Sequence, residues 1–221
     1  FCETACPSPV IWVKAGMADT QNQFSFVAAD EAATLRCAAW VAHILAEHAA
    51  DTKSGVLVSL AGELGAGKTA FARGVIQARC GARTIVPSPS FALVQPYEDT
   101  QPPIWHADLY RLGEASEVEE LGLLDALATH ICLVEWAARA DGILPAADII
   151  IELSEDDKDA RHISITAAPH IIAALETAAA REAATVTLLH RADARGLGGA
   201  PCPCPRRWRP RCSPTGRPPP P

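Results

Sequence analysis

Gly62-Glu63-Leu64-Gly65-Ala66-Gly67-Lys68-Thr69 satisfies G-x-x-x-x-G-K-[ST], and no other feature of the chain narrows its fold as much. Average residue frequencies put a chance match in a chain of this length at roughly 1% or below. A short apolar run at 56–61 precedes the motif, as expected of a parallel strand covered on both faces, and a helical stretch at 68–78 follows at once. Strand, Gly-rich turn and helix in that order aim backbone N–H groups and the positive helix end at a polyphosphate. Gly62, Gly65 and Gly67 permit unusual backbone angles and a close approach to phosphate oxygens. Lys68 supplies a flexible point charge for β- and γ-phosphates, and Thr69 a hydroxyl able to ligate Mg²⁺. A bound nucleotide with Mg²⁺ is therefore expected, but the loop leaves the reaction open, because kinases, GTPases and ATPase motors share it.

Around this unit, strands and helices interleave. Residues 23–27 alternate polar and apolar side chains, and 30–50 carry Leu35, Ala38, Ala39, Ala42, Leu45 and Ala46 at helical spacing. Further strands are expected at 91–94, 104–107, 131–135, 149–153 and 162–166, with helices at 116–128 and 169–184. The pattern predicts an α/β fold, a P-loop NTPase-like three-layer sandwich with a mostly parallel central sheet. Its last two strands, separated only by the polar stretch 154–161, read as a late antiparallel hairpin.

With 221 residues, 49% of them apolar, the chain suits one core-forming domain plus tails. The domain is expected at 17–184. Phe1 opens the sequence and Met17 is its one methionine, so 1–16 read as an upstream extension, non-native or disordered. Nine of the eighteen prolines fall between 201 and 221, among Arg, Gly and Cys, so 185–221 are expected to be a disordered tail. A basic RNA-binding tail and an unselected extension both fit that composition.

Residues 191–221 hold seven Arg against one Asp, so the net charge of −7 leaves 1–190 at −13. A domain that acidic repels a phosphate backbone, which argues against direct non-specific nucleic-acid binding. None of the eight cysteines forms a CxxC pair, and Cys37, Cys80 and Cys132 sit among apolar residues as small fillers of a reducing compartment. No apolar run approaches the roughly 18 residues of a membrane span, so a cytoplasmic protein without membrane attachment is expected.

Two acidic clusters could complete a phosphate site. Ile131-Cys132-Leu133-Val134-Glu135-Trp136 is an apolar strand ending in a carboxylate, where a Walker B acid would hold Mg²⁺; a solvated strand-end acid is the plain alternative. In His106-Ala107-Asp108-Leu109-Tyr110-Arg111, an extended chain would put His106, Asp108 and Tyr110 on one face. Asp108 would then orient an attacking or Mg²⁺-bound water, or belong to a hydrogen-bonded polar corner. Trp136 could pack against nucleotide or partner, or fill a half-buried core position.

Together these motifs resemble the TsaE (YjeE) family of bacterial tRNA threonylcarbamoyladenosine biosynthesis over most of 24–166. The markers are Leu60 through Thr69, Val86-Pro87-Ser88-Pro89-Ser90-Phe91, His106 through Leu112, Glu120-Leu121-Gly122 and Val134-Glu135-Trp136. The resemblance implies a small ATPase that binds ATP and Mg²⁺ and associates with TsaB and TsaD-like proteins. It reaches tRNA only through that complex, sustains the transfer of a threonylcarbamoyl group to adenosine 37, and does not perform the transfer. It further implies Thr69 and Glu135 as Mg²⁺ ligands, Lys68, Asp108 and Glu135 as catalytic, Arg161 as a nucleotide-contacting arginine, and Glu31 as a residue near the base. The sequence departs from the family in having Ser90 where Thr is usual, which keeps a hydroxyl, and Ala137 where Pro is usual, which removes a rigid turn after Trp136.

Two other functions compete. A P-loop small-molecule kinase needs a second substrate pocket and a lid with clamping arginines, for which the short acidic and apolar stretch 112–130 leaves little room. A nucleotide-gated binding module would need ATP occupancy but not Asp108.

Overall fold

The computed structural model describes residues 11–12, 22–155 and 160–194. Its strands are β1 (Ile11–Trp12), β2 (Gln23–Ala28), β3 (Val56–Ala61), β4 (Val94–Tyr97), β5 (Ile104–Asp108), β6 (Ile131–Glu135), β7 (Ile149–Glu155) and β8 (Arg161–Ala167). The helices are α1 (Glu31–Thr52), α2 (Lys68–Cys80), the single turns α3 (Glu117–Glu120) and α4 (Leu123–Ala126), and α5 (Pro169–Ala194). Two compact units divide the chain, Phe1–Ala180 and Arg181–Pro221. All that follows concerns the first; in the second, residues 181–194 are helical. The expected tail beyond Ala194, and most of the expected extension at 1–16, lie outside the described residues.

One sheet, ordered β1-β2-β8-β7-β3-β6-β5-β4, contains every strand. Its centre is parallel: β3 pairs with β6 and β7, and β5 with β6. The edges are antiparallel, and β7 with β8 form the late hairpin that the polar stretch predicts.

Side-chain alternation along the central strands builds two cores. Val56, Val58, Leu60, Ile131 and Leu133 meet Leu45 of α1, Phe71 and Ile76 of α2, and Ile171 of α5 on one face. Leu57, Cys132 and Val134 face the other way, onto Val118, Leu123 and Ala126. A strand covered on both sides has no solvent face, which is why 56–61 and 131–135 are apolar runs rather than alternating ones. Complete burial of a side chain such as Phe71 or Leu60 contributes about 1.5–3 kcal/mol.

Helix ends follow local chemistry. Asp30 caps α1, its Oδ1 accepting from the Ala33 N–H at 2.7 Å, and Lys53 closes it in the left-handed region at φ 54°. No side chain caps α2, whose N-cap is Gly67. Its first amides remain for another acceptor.

Three expectations change. The strand placed at 91–94 is a turn: the Leu93 N–H reaches back to the Pro89 carbonyl and Leu93 has φ 62°, so pairing begins only at Val94. Pro96 is tolerated in β4 because that strand is the sheet's edge. The helix placed at 116–128 breaks between α3 and α4 at Gly122, whose φ of 71° no continuous helix accommodates. The helix placed at 169–184 runs on to Ala194. Among the described residues no helix is long and apolar enough to cross a membrane.

Candidate active site

The parallel strands end side by side. Register pairs Leu60 with Glu135 and Asp108 with Glu135, so the loop after β3 and the terminal acids of β5 and β6 share one edge of the sheet. Six polar or charged side chains are buried among the described residues, and Lys68, His106, Asp108 and Glu135 gather here. Buried charges persist where they are paired or have work to do, so the clustering marks the site.

Local backbone shapes the loop. A Cβ on Gly62 would lie 2.2 Å from the Leu153 carbonyl oxygen of β7. At Gly67, φ is +99° and a Cβ would meet Arg161 Nε at 2.8 Å. Glycine at these two positions lets the loop press against the β7–β8 hairpin and brings the Arg161 guanidinium over the start of α2. Arg161 Nε is buried without a hydrogen-bond partner in the described structure.

Lys68 Nζ donates to the carbonyls of Gly62 and Glu63 at 2.8 and 2.7 Å and lies 4.2 Å from the centre of the Trp136 ring. Burial pushes its pKa below the ordinary lysine value, while the nearby charges of Glu135, Asp108 and Glu63 push it back up. Thr69 Oγ1 donates to Glu135 Oε1 at 2.8 Å, and His106 Nε2 lies 2.9 Å from the same oxygen. Asp108 Oδ2 accepts from Ser90 at 2.7 Å and from Ser88 at 3.4 Å, and its Oδ1 accepts from the Tyr110 N–H at 3.0 Å. A cavity of about 380 Å³ opens onto Lys68, Thr69, Asp108, Glu135, Trp136 and Arg161. A larger one, about 570 Å³, touches the loop at Gly62 and Glu63 but reaches none of these six, so the smaller cavity is the candidate site.

Most expected site residues come together. Leu64, Gly65, Gly67, Lys68, Thr69, Asp108, Glu135 and Arg161 line the cavity; Gly62 and Glu63 join through their carbonyls to Lys68, and Ala66 is buried beneath the loop. Glu31 does not line it, but Glu31 Oε1 pairs with Arg73 Nη1 at 3.7 Å, and Arg73 does. Tyr110 corrects the one-face expectation: β5 ends at Asp108, and Tyr110 sits in the following turn against the Trp136 ring, with centroids 5.1 Å apart. His106 and Asp108 keep the shared side that two-residue spacing requires.

Residues 28–163, more than half of the 221, match the family model described as Threonylcarbamoyl adenosine biosynthesis protein TsaE. The chain belongs to the TsaE family. A Haemophilus influenzae relative, named tRNA threonylcarbamoyladenosine biosynthesis protein TsaE, is 41% identical over 139 residues, 62% of this chain and 85% of its own. The Bacillus subtilis protein of the same name is 38% identical over 120 residues, 54% of this chain and 74% of its own. The crystal structure of Bacillus subtilis YdiB aligns with a TM-score of 0.54 at 27% identity, covering 76% of this chain and 99% of that one.

Both departures from the TsaE pattern are accommodated. Ser90 supplies its hydroxyl to Asp108. At the position of the usual proline, Ala137 opens a 3-10 turn over Ala137–Ala140; Trp136 has φ 59° and its ring lies over Lys68. Arg73 went unnoticed in the sequence, although it had a readable signal, standing four residues after Thr69 on the same helix face. Ser88 stood in the 86–91 marker without an assigned role, because its approach to Asp108 depends on irregular backbone.

The residues present fit a hydrated divalent cation and a polyphosphate. Thr69 and Glu135 offer hard oxygens within 2.8 Å of each other, and no group of three His, Cys, Asp or Glu forms a dedicated metal cage among the described residues. Mg²⁺ suits such a site, since water and phosphate complete its shell. The orphaned Arg161 Nε, Lys68 and the uncapped start of α2 form a matching anion cradle.

Proposed function

We propose that this protein binds and hydrolyses ATP with Mg²⁺ and that this activity serves threonylcarbamoyladenosine formation in tRNA, in the cytoplasm, beside TsaB and TsaD-like partners. The observation that carries the proposal is the convergence of buried Lys68, Asp108 and Glu135 with half-buried Thr69 at the ends of adjacent parallel strands. Lys68 and the loop amides would hold the β- and γ-phosphates. Thr69 and Glu135 hold Mg²⁺, which when bound neutralises charge on those phosphates. Asp108 orients the attacking water, and Ser90 ties that carboxylate to the 86–93 loop, so the loop responds to what occupies the site. The relatives' names support the tRNA pathway, and TsaB–TsaD association follows from the family resemblance.

The test is phosphate release from ATP by the purified protein, with and without TsaB–TsaD, beside Lys68→Ala and Asp108→Ala. Partner-stimulated hydrolysis lost in both variants is expected. Phosphoryl transfer to a small molecule without partners would instead identify a kinase, and full tRNA modification by Asp108→Ala would identify a nucleotide-operated gate.

A further inference from the structure

His106 has no role in the chemistry above, yet it is fully buried in the middle of β5. Its strand neighbours Ile104 and Ala107 are apolar core residues, so packing alone would be served by an aliphatic side chain. Its Nδ1 is buried with no hydrogen-bond partner in the described structure, a penalty that an aliphatic residue would avoid. What sets the imidazole apart is its Nε2, 2.9 Å from Glu135 Oε1. Facing a carboxylate, that nitrogen is the one that carries the proton and donates.

The effect on Glu135 is specific. The terminal torsion of a glutamate is broad, so the carboxylate plane is not fixed by its own rotamer preference. Two donors converge on a single oxygen: Thr69 Oγ1 at 2.8 Å and His106 Nε2 at 2.9 Å both reach Oε1, leaving Oε2 for a cation. While donating its proton, the Thr69 hydroxyl retains lone pairs for the same cation. His106 approaches from β5 and Thr69 from α2, so the carboxylate is clamped from two elements.

We propose that His106 is a positioning residue that presents the Glu135 carboxylate to the divalent cation through its Nε2–H. The inference rests on the Mg²⁺·ATP reading above. Outer contacts of this kind typically alter metal affinity by about 10–100-fold.

The test measures binding of a fluorescent ATP analogue in EDTA and across a Mg²⁺ titration, for wild type, His106→Met, His106→Gln and Glu135→Gln. Methionine fills the volume without a donor; glutamine keeps an N–H at similar reach. Wild type and the two His106 variants should bind alike in EDTA. His106→Met should need about tenfold or more Mg²⁺ to reach half of the metal-dependent gain. His106→Gln should stay near wild type, and Glu135→Gln should lose the gain. A wild-type Mg²⁺ response in His106→Met, or an equal deficit in Met and Gln, overturns the inference alone. A wild type indifferent to Mg²⁺ overturns the nucleotide reading with it. Imidazole nitrogen spectra of ¹⁵N-histidine wild-type protein, assigned with His106→Gln, give an answer that does not depend on how the Met variant folds. Adding Mg²⁺ to the nucleotide-bound protein should move the His106 Nε2 resonance, and an unmoved resonance overturns the proposal.

Discussion

Lys68 carries opposing demands. Its burial favours the neutral amine while its proposed task needs the cation, and the depressed pKa records that tension. A lysine whose pKa is lower folded than unfolded binds fewer protons in the native state. Stability therefore rises with pH between the folded value and 10.5, as the cost of burying the charge disappears. Against a Lys68→Met reference, the unfolding free energy of the ligand-free wild type should improve as pH climbs through that window, a trend that denaturant melts at several pH values would reveal. Asp108 belongs to a different class: Asp108→Asn should leave nucleotide affinity near wild type and lower hydrolysis by about 10²-fold or more, measured as single-turnover phosphate release. The sequence announced Lys68, Thr69, Asp108 and Glu135 because each stands at a strand or helix end that a local pattern marks. The contacts of His106 and Arg161 were hidden, since both depend on partners brought together by sheet register rather than by sequence distance. Cys132 was legible as filler, and in its apolar surroundings burial raises the thiol pKa to about 12, which leaves it inert.

Among elements, the 86–93 loop and the α1–α2 contact are the informative pair. The loop's Ser90 hydroxyl donates to Asp108, so Ser90→Ala should reduce hydrolysis while Ser90→Thr, which keeps the hydroxyl on the residue usual in the family, stays near wild type. A steady-state assay of the two variants separates these outcomes. Helices α1 and α2 approach closely at Gly74, where a Cβ would lie 2.6 Å from the Ala38 Cβ. Gly74→Val should accordingly destabilise the fold by about 1–3 kcal/mol, read as a lower urea midpoint. The loop also shows where pattern reading falters. Apolar runs located the central strands well, because burial on two faces leaves one signature. It failed at 91–94 and across 116–128, where a left-handed Leu93 and a left-handed Gly122 interrupt otherwise plausible apolar stretches. Local backbone reversals of this kind leave almost no trace in hydrophobic spacing.

At the scale of the whole molecule, the proposed nucleotide would couple to stability. A nucleotide that binds only the folded chain adds about 2.7 kcal/mol at roughly 100 times its Kd. Thermal melts should therefore shift upward with Mg²⁺·ATP in wild type and not in Lys68→Ala. The charge of −13 over 1–190 agrees with a protein that meets tRNA through partners rather than by its own surface. Sheet order carries a further consequence, for the growing chain. β6 lies between β3 and β5 although it follows both in sequence, and Glu135 is made 66 residues after Thr69. A nascent polypeptide thus carries the phosphate-loop residues before Glu135, and before the β7–β8 hairpin that the loop presses against, have been made. Until β6 slides in between, β3 and β5 have no common neighbour, so the loop and Asp108 cannot act together. Under the proposed function, an immature chain would lack the carboxylate that holds Mg²⁺.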